Sequence, residues 1–171
     1  MEAFYRTHRY LVEHTDAPIR RGLMGYRTVG MRQNLYEKNG LWILEDCYNA
    51  GPESMAAALA VLGKKQGRRI AVLGDMLELG DCSWAEHYRI GRIARENADL
   101  IFAYGPNANR VIGGAITGGM CQTKARIFAT HEEMAAYLKR IAKPGDTLLF
   151  KGSRGMHMER VLEAFLKEEK E

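Results

Sequence analysis

Several familiar signals are missing from this chain, and each absence removes a class of function. No G-x-x-x-x-G-K-[ST] stretch is present to cradle a triphosphate, and no G-x-G-x-x-G opens a helix for a dinucleotide. The three cysteines, Cys47, Cys82 and Cys121, are odd in number, widely spaced and in no C-x-x-C pair, so neither a disulfide framework nor a zinc site is expected. His8, His14, His87, His131 and His157 lack metal-ligand spacing and read as surface or packing residues, which leaves no metal site to expect. No apolar run approaches the length of a membrane span, and Met1 to Arg6 lacks the apolar core of a signal peptide. Few thiols without a framework fit a reducing cytoplasm. No paired nucleophile and base stands out.

The net charge of +4 and a pI near 9.0 do not amount to a nucleic-acid footprint. Arg6, Arg9, Arg20, Arg21, Arg27 and Arg32, set against Glu2, Glu13 and Asp16, place +3 of the excess in the first 32 residues. The rest of the chain is nearly neutral, with no basic run and no aromatic residues interleaved with one, so nucleic acid is not an expected partner, and the lack of a long apolar run means no membrane insertion is expected.

What is present is one ordinary domain's worth of chain, 171 residues, arranged around Leu41 to Ser54. Leu41-Trp42-Ile43-Leu44 is a short apolar run that reads as a strand. Gly51 breaks the chain, and Pro52 opens a helix, because its fixed φ and missing N–H are harmless in a first turn. Met55, Leu59 and Leu62 then recur at helical spacing among alanines. Asp46 and Asn49 therefore lie between a strand's C-terminal end and a helix N-terminus, where open α/β sheets bind ligands.

Residues 2–14 read as a helix with Phe4, Tyr5, Leu11 and Val12 on its apolar side, and Thr15 or Asp16 can cap a second helix with Ile19 and Leu23. These suggest a helical adaptor over residues 1–28, from a preceding domain of something longer, with the main domain at 29–171. Gln33 to Glu37 alternates, and an Asn39-Gly40 turn leads into Leu41, a hairpin signal. Strands and helices then alternate: Arg69–Gly74, a helix from Ser83 to Asn97 with Tyr88, Ile90, Ile93 and Ala94 inward, Leu100–Tyr104, and a helix from Asn107 to Thr117 weakened by Gly113 and Gly114. A strand at Ala125–Ala129, a helix capped by Thr130 and Glu133, a strand at Thr147–Phe150 and a final helix from about Gly155 complete the pattern. This predicts an α/β fold, a Rossmann-like doubly wound and mostly parallel sheet with helices on both faces.

Parallel strands bring their C-terminal ends to one rim, so Asp46, Asp75, Gly105 and Lys151 should converge. Asp46 could accept hydrogen bonds from ribose hydroxyls, or satisfy N–H groups of its own loop. Lys151-Gly152-Ser153-Arg154-Gly155 offers cations, a hydroxyl and open backbone for a carboxylate or phosphate, or forms a solvated basic turn. Asp75 and Glu78, within Gly74 to Gly80, could orient a cation or a catalytic lysine, or cap the next helix.

Asp46-Cys47-Tyr48-Asn49-Ala50-Gly51-Pro52-Glu53-Ser54-Met55, then Leu73-Gly74-Asp75-Met76-Leu77-Glu78-Leu79-Gly80 with His87 downstream, then Lys151-Gly152-Ser153-Arg154 with Met158-Glu159, together resemble the C-terminal domain of the Mur ligases in order and spacing. The resemblance covers about residues 19–168 and points, within the family, to the branch that adds D-alanyl-D-alanine to UDP-N-acetylmuramoyl-tripeptide. It implies part of an ATP-dependent amide ligase of peptidoglycan synthesis, whose absent domains carry the phosphate loop, the Mg2+ sites and the UDP site. By this resemblance Arg32 reaches the ATP phosphates, Asp46 the ribose, and Asn49 neighbours the nucleotide. Lys151, Ser153 and Arg154 hold the dipeptide, Asp75 and Glu78 lend support, and no catalytic residue lies in the fragment, which alone would not ligate. Relatives commonly have Gly-Arg where this chain reads Gly30-Met31-Arg32, and Asn or Ser in place of Gly51. A folylpolyglutamate synthetase-like ligase domain, or a non-catalytic nucleotide-binding or interaction module, is the alternative reading.

Overall fold

The computed structural model describes residues 34–167. The two helices expected before residue 28, the boundary drawn there, and Arg32 lie outside these residues. The described chain begins with a hairpin, β1 (Asn34–Lys38) paired antiparallel with β2 (Leu41–Asp46). Asn39 and Gly40 turn it with φ of 53° and 75°, the left-handed pair that a two-residue hairpin with right-handed twist requires. Alternating connections follow: α1 (Pro52–Gly63), β3 (Arg69–Gly74), α2 (Ser83–Asn97), β4 (Leu100–Tyr104), α3 (Ala108–Thr117), β5 (Ala125–Phe128), α4 (His131–Ile141), β6 (Thr147–Lys151) and α5 (Met158–Leu166).

The strands form one six-stranded sheet in the order β1-β2-β6-β3-β4-β5, parallel throughout except at β1. Apolar runs such as Ile70-Ala71-Val72-Leu73 are buried on both sides because successive residues serve opposite faces. Leu44, Ala71, Leu73, Ala103 and Leu149 pack under α1, α2 and α3. Ile43, Ile70, Val72, Phe102, Leu148 and Phe150 pack under α4 and α5. The last strand of the sequence is thus inserted between β2 and β3, and it carries Lys151 into the middle of the rim.

Two local expectations are revised. The final helix begins at Met158 rather than near Gly155, because Arg154–Met156 form a 3₁₀ turn and His157 takes φ 48°, which interrupts the helical path. In α2 the buried stripe is His87, Ile90, Gly91 and Ala94; Tyr88 is drawn outward to stack on exposed Trp84, with ring centroids 5.2 Å apart. The Thr130 cap forms as expected, its Oγ1 accepting the Glu133 N–H at 3.1 Å. At the far edge from the rim, Asp146 ties the β6 entry to Arg68 Nε at 3.0 Å and to the Lys143 N–H at 2.8 Å.

Candidate functional site

The strand register decides which side chains meet at the rim. Asp46 pairs with Lys151 across β2 and β6, and Leu73 with Lys151 across β3 and β6, so the two charged side chains leave neighbouring strands on one face of the sheet. Lys151 Nζ donates to Asp46 Oδ2 at 2.6 Å and to the Asn49 carbonyl at 2.9 Å. The lysine side chain is 1% exposed and the aspartate 10%. Lys151 therefore points inward, onto the β2–α1 loop, and its charge is compensated there instead of being presented to solvent.

Ser153 is the second tie. Its Oγ accepts the Leu77 N–H at 2.8 Å and donates to the Ala50 carbonyl at 3.1 Å, while its N–H donates to the Asp75 carbonyl at 3.0 Å. Asp75, 1% exposed, accepts the backbone and side-chain N–H groups of Asn107, each at 2.9 Å, on Oδ2. Its other oxygen, Oδ1, is buried with no hydrogen-bond partner. Gly105 lies against this carboxylate with φ 122°; a Cβ there would come within 2.6 Å of it. Gly74 and Gly152 let the strand ends close onto Met158, whose side chain a Cβ at either position would strike.

Around this buried knot the exposed groups are Asn49, Tyr48, Leu77, Glu78 and Arg154. The Asn49 Oδ1 accepts the Ala50 N–H at 2.8 Å, and Glu78 holds a left-handed φ of 64°. Arg154 is half-exposed and donates to Glu159 Oε1 at 3.2 Å. Of the residues singled out by sequence, Asp46, Asn49, Asp75, Lys151 and Ser153 are joined in one hydrogen-bonded network, Arg154 stands at its edge, and Glu78 does not join it. Sequence reasoning missed Asn107 and the Ala50 carbonyl, and it took His87 as a surface or packing residue without its tie to Met76. Asn107 had a signal, its place just before a helix that follows a strand; the carbonyl had none.

Cys47 follows Asp46 but faces the other side of the sheet, fully buried, its thiol directed to the Phe150 carbonyl at 3.5 Å. Burial, helped by the charges of Glu45, Glu159 and Asp46, pushes the thiol up to about 12, and burial with Glu45 and Cys47 raises Tyr36 to about 12. Both groups hold their protons more tightly in the folded chain than in the unfolded one. Their contribution is complete below the unfolded values of 9.0 and 10.0 and is lost as pH climbs toward 12. Urea midpoints are expected to fall between about pH 8 and about pH 11, and less so in Cys47→Ala. An equal fall in the variant would remove Cys47 as a cause.

No helix among the described residues is long and apolar enough to cross a membrane, and no group of three or more His, Cys, Asp or Glu among them is placed to hold a metal.

The sequence model of a family described as "Mur ligase, glutamate ligase domain" matches residues 31–154. The UDP-N-acetylmuramoyl-tripeptide--D-alanyl-D-alanine ligase of Bacillus subtilis (strain 168) is 35% identical over 146 residues, covering 83% of this chain and 32% of its own. Among solved structures, MurF from Acinetobacter baumannii superposes with a TM-score of 0.78 at 35% identity, covering 86% of this chain and 33% of that one. MurF ligase from Thermotoga maritima, in complex with ADP, gives 0.75 at 33% identity, over 95% and 36%. The chain spans about a third of the length of each of these relatives.

Proposed function

Because the chain belongs to the Mur ligase family, through its C-terminal glutamate ligase domain, we propose that it docks D-alanyl-D-alanine and closes over ATP in a MurF-like amide ligase. In the proposed reaction a carboxylate oxygen of UDP-N-acetylmuramoyl-tripeptide takes the γ-phosphoryl group and ADP leaves. The dipeptide amine attacks the resulting acyl carbon, loses a proton, and inorganic phosphate departs as the amide forms. The observation that carries the reading is the rim network, which binds the β2, β3, β4 and β6 loops into one rigid edge beside an exposed arginine. A closing edge of this kind suits an acyl phosphate, because it would exclude the water that hydrolyses such intermediates.

Roles divide by exposure. Arg154, half-exposed beside Glu159, meets the dipeptide carboxylate as a charge-assisted donor. Lys151 and Ser153 hold the loop that carries it. Asp46, buried against Lys151, and exposed Asn49 mark the nucleotide side of the rim in this reading, and Arg32 reaches the phosphates. Mg2+ would be held mainly by the central domain of such a ligase.

The test is an amide-resolved NMR titration of the chain with D-alanyl-D-alanine, L-alanyl-L-alanine and ADP. The D-dipeptide is expected to shift Lys151 to Gly155 selectively, and ADP to shift Asp46 to Asn49. Equal response to both dipeptides, or ATP turnover by this chain alone, would overturn the division of labour.

A further inference from the structure

His87 is fully buried on α2, one turn in from the rim, and both ring nitrogens are engaged. The Met76 N–H donates to Nε2 at 2.9 Å, so Nε2 carries a lone pair and Nδ1 the proton. Nδ1 accordingly donates to the Ser83 carbonyl at 2.7 Å, one turn back on the same helix. The ring is thus a neutral imidazole locked in one tautomer and one orientation by its own helix. Asp75 Oδ1, the orphaned buried oxygen, lies 3.9 Å from Nε2, too far for a hydrogen bond.

Three consecutive residues then share two anchors. The Asp75 carbonyl and the Leu77 N–H are both bonded to Ser153, and the Met76 N–H between them is bonded to His87. Ser153 passes the constraint on to the Ala50 carbonyl, next to Asn49. A backbone stretch held at its middle by an imidazole and at both flanks by one serine has little freedom to shift without moving that serine.

We propose that His87 is a positioning residue for the Ser153 loop, acting through the Met76 N–H to fix the edge that receives the incoming dipeptide. The dipeptide part rests on the function proposed above; the positioning part does not. His87 touches no ligand in this scheme. Its contribution is to give Met76 N–H a buried acceptor, whose loss leaves an unsatisfied donor directly under Leu77 and Ser153.

Two uncharged substitutions differ in reach. In His87→Gln the side-chain oxygen lies near the position of Nε2 and can still accept from Met76; in His87→Asn it falls short. The 171-residue chain is compared by amide NMR and by D-alanyl-D-alanine titration. H87N is expected to displace the Met76, Leu77 and Ser153 resonances and to weaken the dipeptide about tenfold, while H87Q stays within about twofold of the parent. Leu77 and Ser153 resonances unmoved in H87N, or moved as far in H87Q, would overturn the proposal. If the resonances behave as expected but the parent itself binds no dipeptide, the positioning role stands and the docking reading falls. Should H87N not fold, hydrogen exchange in the parent decides: a common protection of Met76, Leu77 and Ser153 supports the anchor, and a Ser153 amide opening about tenfold more readily than Met76 refutes it.

Discussion

Gly91→Ala is expected to destabilise the domain by about 3 kcal/mol or more, lowering its melting temperature by roughly 10 °C. A Cβ at Gly91 would sit 2.0 Å from the Val111 carbonyl oxygen, and one at Gly114 2.1 Å from the Tyr88 carbonyl oxygen, so α2 and α3 touch backbone to backbone at reciprocal positions. Flexible side chains can yield to an added methyl, but carbonyls fixed in helices cannot, and the pair must separate along its length. Gly113, one residue from Gly114, has nothing within 4 Å of its Cβ position. Gly113→Ala should therefore stabilise the chain, by up to about 1 kcal/mol, through helix propensity alone. Opposite signs for these variants in thermal denaturation would establish the close crossing; a fall of under about 1 kcal/mol for Gly91→Ala would mean that the helices stand farther apart.

These glycines show what could be read from the chain and what could not. On sequence, Gly113 and Gly114 look alike, as two weaknesses in one helix, and only the neighbouring helix separates them. Strands such as Arg69–Gly74 and Leu100–Tyr104 were legible because burial on both faces writes an uninterrupted apolar run into a short segment. The rim was legible for a related reason, since parallel strands must end together. The contact of Asp46 with Lys151 was not legible, because it depends on β6 entering between β2 and β3, a choice made by tertiary packing across more than a hundred residues. The role of His87 was hidden for the opposite reason: its partners are a backbone N–H and a backbone carbonyl, which leave no trace in side-chain identity. The late start of α5 follows from a left-handed His157, a conformation that a non-glycine residue seldom announces.

Lys151→Met should be the most damaging single change at the rim, costing about 3–5 kcal/mol, because it removes one partner of a buried ion pair and leaves the other. The methionine fills most of the space, so the loss reports on charge and hydrogen bonds more than on packing. Asp46 would then lack its 2.6 Å donor and the Asn49 carbonyl its 2.9 Å one, both beside the loop that opens α1. Pairing Lys151→Met with Asp46→Leu should recover much of the loss, since an apolar pair avoids the desolvation that a lone carboxylate suffers. Lys151→Arg is not a conservative rescue, because the 1% exposed site admits a compact ammonium and not a planar fork. Urea denaturation of the two single variants and the double variant gives the coupling, and dipeptide titration of each folded variant gives the consequence for binding. If Lys151 acted on the dipeptide directly, the double variant would regain stability with no recovery of binding. If it acts through the loop, stability and binding fall together, and the double variant restores the first more fully than the second.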